Sequence, residues 1–147
     1  MPWTQTGDYR QIVLNAMASW HASPTAVRTG YGYETTLAYS KMDFRTEDRP
    51  YDDWVGLTVL HPCQQSGCWY SYADIYLNSN ANQLGNPGVT DFRRQKTAAH
   101  EFGHGLGLAH PDCWFCNFNS IMFQGELAYN TPQQHDIDDT NAIYPRP

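Results

Sequence analysis

The chain has 147 residues, of which 41% are hydrophobic and 14% aromatic, enough for one domain with its own core and too few for two. A charged fraction of only 16% and a net charge of −6 leave no basic field for a phosphate backbone, so nucleic acid is not an expected partner. No run approaches the roughly 18 apolar residues of a membrane span, and residues 1–8 lack the basic start and apolar run of a signal peptide. The expectation is a soluble monomer that does not contact a membrane, with any targeting segment or propeptide outside this chain.

From Tyr9 to Trp20, the residues Ile12, Val13, Ala16, Met17 and Trp20 recur at spacings of three and four, which predicts an amphipathic helix with Asp8 as its cap. The texture then turns β-branched and aromatic, broken by Gly, Pro and Asp. Strands are expected near Ala26–Gly30, Thr35–Lys41, Val55–Leu60 and Tyr72–Leu77. Asn78 to Thr90 is polar, with Gly85, Pro87 and Gly88, and reads as a loop. A second helix follows, capped by Thr90 or Asp91, striped by Ala99, Phe102 and Leu106, and ended by Gly105 and Gly107. After an irregular stretch, Thr131-Pro132-Gln133-Gln134 opens a last helix to about Tyr144. This order predicts an α+β domain.

The four cysteines form two close pairs, Cys63 with Cys68 and Cys113 with Cys116. Two readings are open: local disulfides, which fit export to an oxidising compartment, or a second, structural zinc held by all four.

The chemistry concentrates in residues 100–110, His-Glu-Phe-Gly-His-Gly-Leu-Gly-Leu-Ala-His. Histidines four apart share one helical face, so the imidazoles of His100 and His104 can reach a single zinc ion. Glu101, rotated by about 100° from His100, stays out of the ligand set yet close enough to act as general base toward water at the metal. A third ligand requires the helix to stop and the chain to return. Gly107, free to take a left-handed conformation, allows that, and His110 completes the set.

The string HExxHxxGxxH resembles the zinc signature of the metzincins. Ser120-Ile121-Met122-Phe123, twelve residues past His110 at Met122, resembles the methionine turn that lies beneath their metal. Asp136-Ile137-Asp138 resembles the closing helix of the matrixins, the matrix-metalloproteinase-like branch. The specific likeness covers about Tyr72 to Tyr144. It implies one catalytic domain. An N-terminal part of about 1–107 would hold a twisted mixed sheet and two helices, and a smaller irregular part of about 108–147 would hold the methionine turn and the final helix. It also implies a rim for extended substrate along Ala73, Asp74, Ile75 and Tyr76, and makes Tyr129 a candidate for the outer wall of the pocket. Pro111 after the third histidine is more like the serralysins, but Gln124 stands where they carry a tyrosine, so no tyrosine ligand is expected. Cys113 and Cys116 are similar in place to the zinc-binding cysteines of the archaemetzincins.

The expected function is therefore hydrolysis of internal peptide bonds of polypeptides by a secreted enzyme with one catalytic zinc on His100, His104 and His110. Glu101 would be the acid/base and Met122 the floor of the site. The rivals are a zinc-stabilised binding module without catalysis and an archaemetzincin-like exopeptidase. Asp136, Asp138 and Asp139 read as a solvated helix face, with Asp136 or Asp138 available to bond backbone near the metal. His21, His61 and His135 have no partner at ligand spacing.

Overall fold

The computed structural model describes residues 9–29, 41–68, 70–113, 118–125 and 128–145. Among these, three helices and one three-stranded mixed sheet make an α+β fold, as the sequence predicts. Helix α1 spans Tyr9–Ala22 and buries Tyr9, Ile12, Val13, Ala16 and Trp20, the stripe its periodicity requires. Trp20 is fully buried. Its indole N–H donates to Ala99 O at 2.9 Å and its ring stacks on Phe102 at 6.0 Å, locking α1 to helix α2, Asp91–Gly105.

The strands are β1, Met42–Glu47; β2, Gly56–Pro62; and β3, Tyr70–Asn78. Their order is β1-β3-β2, with β1 parallel and β2 antiparallel to β3. Alternation along β3 turns Ala73, Ile75 and Leu77 into the core, each at 0% exposure. Phe44 of β1 stacks on Phe102 of α2, so helix and sheet share one apolar layer.

Two expectations change, and a third lies mostly outside the described residues. Residues 26–29 form no strand, because side chains take their backbone donors: Val27 N–H goes to Thr25 Oγ1 at 3.2 Å and Thr29 N–H to His21 Nδ1 at 3.2 Å. The strand expected at Thr35–Lys41 falls mostly outside the described residues, and β1 begins where it was to end. The alternation of Met42, Phe44 and Thr46 with Asp43, Arg45 and Glu47 was its legible signal. The second change is that β3 is not a rim. It is hydrogen-bonded to β1 on one side and β2 on the other, so Ala73, Asp74, Ile75 and Tyr76 have no ladder edge to offer a peptide. Among the described residues, the unpaired edge facing outward from β3 on that side belongs to β2.

The loop from Asn78 to Thr90 holds itself by short asparagine bonds, such as Asn80 N–H to Asn78 Oδ1 at 3.1 Å and Gly88 N–H to Asn86 Oδ1 at 2.8 Å. Arg94 Nε reaches back to Leu84 O at 2.9 Å and ties the loop to α2. Thr90 caps α2 by accepting from Arg93 N–H. Helix α3, Gln134–Ile143, starts later than the Thr-Pro signal suggests: Asp136 accepts from the backbone N–H of Gln133 at 2.7 Å, which makes Gln133 the cap. Cys63 is bonded to Cys68, and Cys113 is also disulfide-bonded, while Cys116 lies outside the described residues. With their sulfurs joined, Cys63 and Cys68 cannot serve the four-cysteine zinc that the spacing left open.

Candidate metal centre

His100 and His104 lie one turn apart on α2. The helix ends in two bonds, Gly107 N–H to His104 O at 2.9 Å and Leu108 N–H to Gly103 O at 3.0 Å, a Schellman stop. Gly107 carries the left-handed φ of +93° that this stop needs. The turn does two things at once. It places Leu108 O at 2.8 Å from His104 Nδ1, and it brings His110 back over the helix.

The result is convergence. His100 Nε2 lies 3.1 Å and His104 Nε2 3.0 Å from His110 Nε2, and the ligating atoms of all three lie within 4.8 Å of one another. His100 Nδ1 is 2.8 Å from Ile121 O and so carries the hydrogen that it donates there. With Nδ1 engaged in this way on both helical histidines, each directs an Nε2 lone pair at the same point. Tetrahedral zinc at 2.0–2.1 Å from each nitrogen sets them about 3.3 Å apart, close to what is found. The donor set therefore fits zinc. Burial is the main cause that pushes His100 down to about 3, and burial also lowers His110, so both imidazoles are neutral and ligand-ready near pH 7.

Helix α3 supports this geometry from a distance. Asp136, 1% exposed, accepts from Ser120 Oγ at 2.5 Å and Ile121 N–H at 2.8 Å, and Ser120 Oγ accepts from Met122 N–H at 2.9 Å. Ile121, held in this way, offers its carbonyl to His100. Asp136 is thus not part of a solvated face, although Asp138 and Asp139 are exposed. Met122 is buried under α2, and any Cβ at Gly103 would strike its sulfur. Tyr129 gives its hydroxyl to Asn119 Oδ1 at 2.5 Å.

Glu101 faces β2. Its Oε2 accepts from Thr58 Oγ1 at 2.7 Å, and Gly56 lies so close that a Cβ there would stand 2.7 Å from both its Cγ and its Oε1. Burial raises the Glu101 carboxyl, and the Thr58 bond, His104 and Lys96 act against that rise. Lys96, one to two turns upstream, donates to Gly125 O at 2.8 Å, and burial lowers its ammonium. A cleft of about 350 Å³ opens beside it, lined by Val55, Val89, Phe92, Thr97 and Gly125 among others. His61 and His135 are not in the histidine cluster: His61 bonds Asp74 at 2.8 Å, and His135 pairs with Asp139 at 3.1 Å.

No family model matches the chain. Over 152 residues, 97% of this chain and 30% of the relative, it is 28% identical to the neutrophil collagenase of Homo sapiens. It is 44% identical to the interstitial collagenase of Bos taurus over 55 residues, 37% of this chain and 11% of that protein. To serralysin C of Dickeya chrysanthemi it is 46% identical over 43 residues, 29% of this chain and 7% of that protein. The chain thus spans less than a third of the length of each of these relatives. Its similarity to both collagenases and a serralysin, together with the histidine cluster, is a likeness at the level of the metzincins.

Proposed function

We propose that this chain is the single catalytic domain of a zinc-dependent endopeptidase that cuts extended polypeptides outside the cell and works as a monomer. Residues of about 1–107 would form its upper part and about 108–147 its lower part. The observation that carries the reading is the convergence of three imidazole nitrogens beside a buried glutamate on the same helix. Zinc held by His100, His104 and His110 supplies a Lewis acid that acidifies water and polarises a carbonyl. The remaining work falls to the chain itself. Glu101, ionised at the start, takes the proton from the attacking water and passes it to the departing amine.

The edge of β2 offers backbone donors and acceptors to a peptide in extended form. Antiparallel pairing with β2, the arrangement with the straighter hydrogen bonds, would run the substrate from the Pro62 end toward Gly56. The residue after the scissile bond would then face the cleft beside Val55 and Thr97. The disulfide of Cys63 with Cys68 and the bonded state of Cys113 support an oxidising, extracellular setting. Among the described residues, no helix is long and apolar enough to cross a membrane.

The test compares the parent chain with Glu101→Ala on an unfolded protein, with zinc measured in both. The expected outcome is one zinc in each and at least a thousandfold loss of cleavage in the variant, on the order of 4 kcal/mol of barrier. Equal cleavage by both would refute this mechanism. Zinc in both and cleavage by neither would favour a metal-stabilised binding module, and loss of single end residues would favour an exopeptidase.

A further inference from the structure

Strand β2 faces the wrong way for a strand whose role is stability alone. Alternation turns Gly56 and Thr58 toward α2, while Leu57 and Val59 face outward at 40% and 37% exposure. A strand placed only to build a core would bury its apolar side chains, yet Leu60, in the same alternation as Gly56 and Thr58, is also exposed, at 43%. The two positions that face α2 hold the smallest residue and a hydroxyl, and both meet the same side chain, Glu101.

One bonds that side chain and the other makes room for it. Thr58 Oγ1 stands 2.7 Å from Oε2, and the absence of a side chain at Gly56 leaves just enough room for Cγ and Oε1. A glutamate has three freely turning bonds, and a base that must meet a water at a fixed point gains from having them fixed beforehand. We propose that Thr58 is a positioning residue for the hydrolysis, its hydroxyl holding Oε2 of Glu101 and so fixing the orientation of the carboxylate for its proton transfer. This rests on the peptidase reading above.

A hydroxyl suits the task because it can donate to both states of the carboxyl group. It donates to Oε2 in the carboxylate, and when the other oxygen takes the proton Oε2 becomes the carbonyl oxygen of the acid and still accepts, so the grip survives the moment when Glu101 holds the proton. The rival role is a tether: the same hydroxyl lies 3.0 Å from the backbone oxygen of Glu101, where it would merely bind β2 to α2. With one hydrogen to give, it favours the charged and nearer acceptor.

The experiment uses the zinc-loaded chain with Thr58→Val, which keeps the shape and removes the hydroxyl, and Thr58→Ser, which keeps the hydroxyl. Zinc content and circular dichroism are read beside kcat and KM. The expected result is a loss of about ten- to a hundredfold in kcat for Thr58→Val, with KM within about twofold and one zinc per chain. Thr58→Ser should recover most of the rate. A tether would give the opposite split, a lower thermal midpoint with kcat retained, and that result overturns the proposal. So does a serine variant as slow as the valine variant. Should Thr58→Val fail to fold or to hold zinc, Thr58→Ala is read against Thr58→Ser in its place, with the same two outcomes. A parent that holds zinc and cuts nothing is a separate result: it removes the peptidase reading and this inference with it, whereas a cutting parent with an equally fast Thr58→Val removes only the inference.

Discussion

Two parts of the centre are built on opposite plans. The three nitrogen donors come from eleven consecutive residues, brought together by one helical turn and one helix stop. Leu108 O holds His104 from within that stretch, but the groups that hold His100 and Glu101 come from far along the chain. Thr58 is 43 residues before Glu101, Ile121 is 21 after His100, and Asp136 a further 15 beyond Ile121. The donor set is therefore a local property of this chain, while the orientation of His100 and Glu101 depends on the whole fold. The two should fail differently when disturbed.

Acid should test the local part most strongly. His100 is buried and, with its value pushed down to about 3 from 6.5, stays neutral in the folded chain where an unfolded imidazole would be protonated. The folded state then binds fewer protons, so the stability present above about pH 6.5 is lost progressively as pH falls toward 3. For this one group the loss is on the order of 4 kcal/mol across that window. Denaturant midpoints of the zinc-free chain between pH 7 and 4 should fall accordingly, and in His100→Asn the fall should be shallower. A midpoint independent of pH, or an identical slope in both proteins, would show that this imidazole is not held neutral by burial.

The distant part should respond to Asp136. Its carboxylate accepts from Ser120 Oγ, Ile121 N–H and Gln133 N–H, so Asp136→Ala strands two buried donors and a third that is part-buried. We expect a loss of about 3 kcal/mol in stability and a ten- to hundredfold weaker hold on zinc, because Ile121 then no longer fixes His100. Exposed Asp138→Ala on the same helix should change stability by less than about 0.5 kcal/mol. Weakened zinc binding with stability intact would mean that Asp136 acts only on the metal; equal behaviour of the two aspartate variants would mean that it supports neither.

The same contrast explains what could be read from the sequence. His100, Glu101, His104 and His110 announce themselves because a helix converts spacing into direction, and Gly107 because only the residue without Cβ turns the chain so readily. The helices α1 and α2 are equally plain from their stripes. What escaped needs tertiary placement. A Gly-Leu-Thr-Val run reads as an ordinary strand until its neighbour is known, and only then does Thr58 become a partner of Glu101. Which strand is central cannot be told from alternation, so the sequence puts the expected rim on β3, whereas the fold pairs β3 on both sides and leaves the open ladder edge, among the described residues, on β2. Asp136 looks like its exposed neighbours Asp138 and Asp139, since a charge on a short helix gives no sign that it is the one turned inward. The Asp43, Arg45 and Glu47 alternation of β1 was visible in the sequence.

Gly107 is the point where the two plans meet, and its effect should be the smallest of the three. A Cβ at this position would find Tyr70 Cε1 no nearer than 4.0 Å, so Gly107→Ala creates no clash, and its whole cost is the backbone strain of holding φ near +93°. That strain is about 1 to 2 kcal/mol. It should appear as a fall of a few degrees in the thermal midpoint of the zinc-free chain. Asparagine, which enters the left-handed region more readily, should lose less than alanine at the same site. The ordering matters more than the size. If alanine is the worse of the two and zinc affinity falls in step with stability, the turn delivers His110 through backbone conformation alone. If zinc affinity falls while the midpoint holds, the helix stop has moved rather than strained, and His110 reaches the metal by a route that Gly107 does not set.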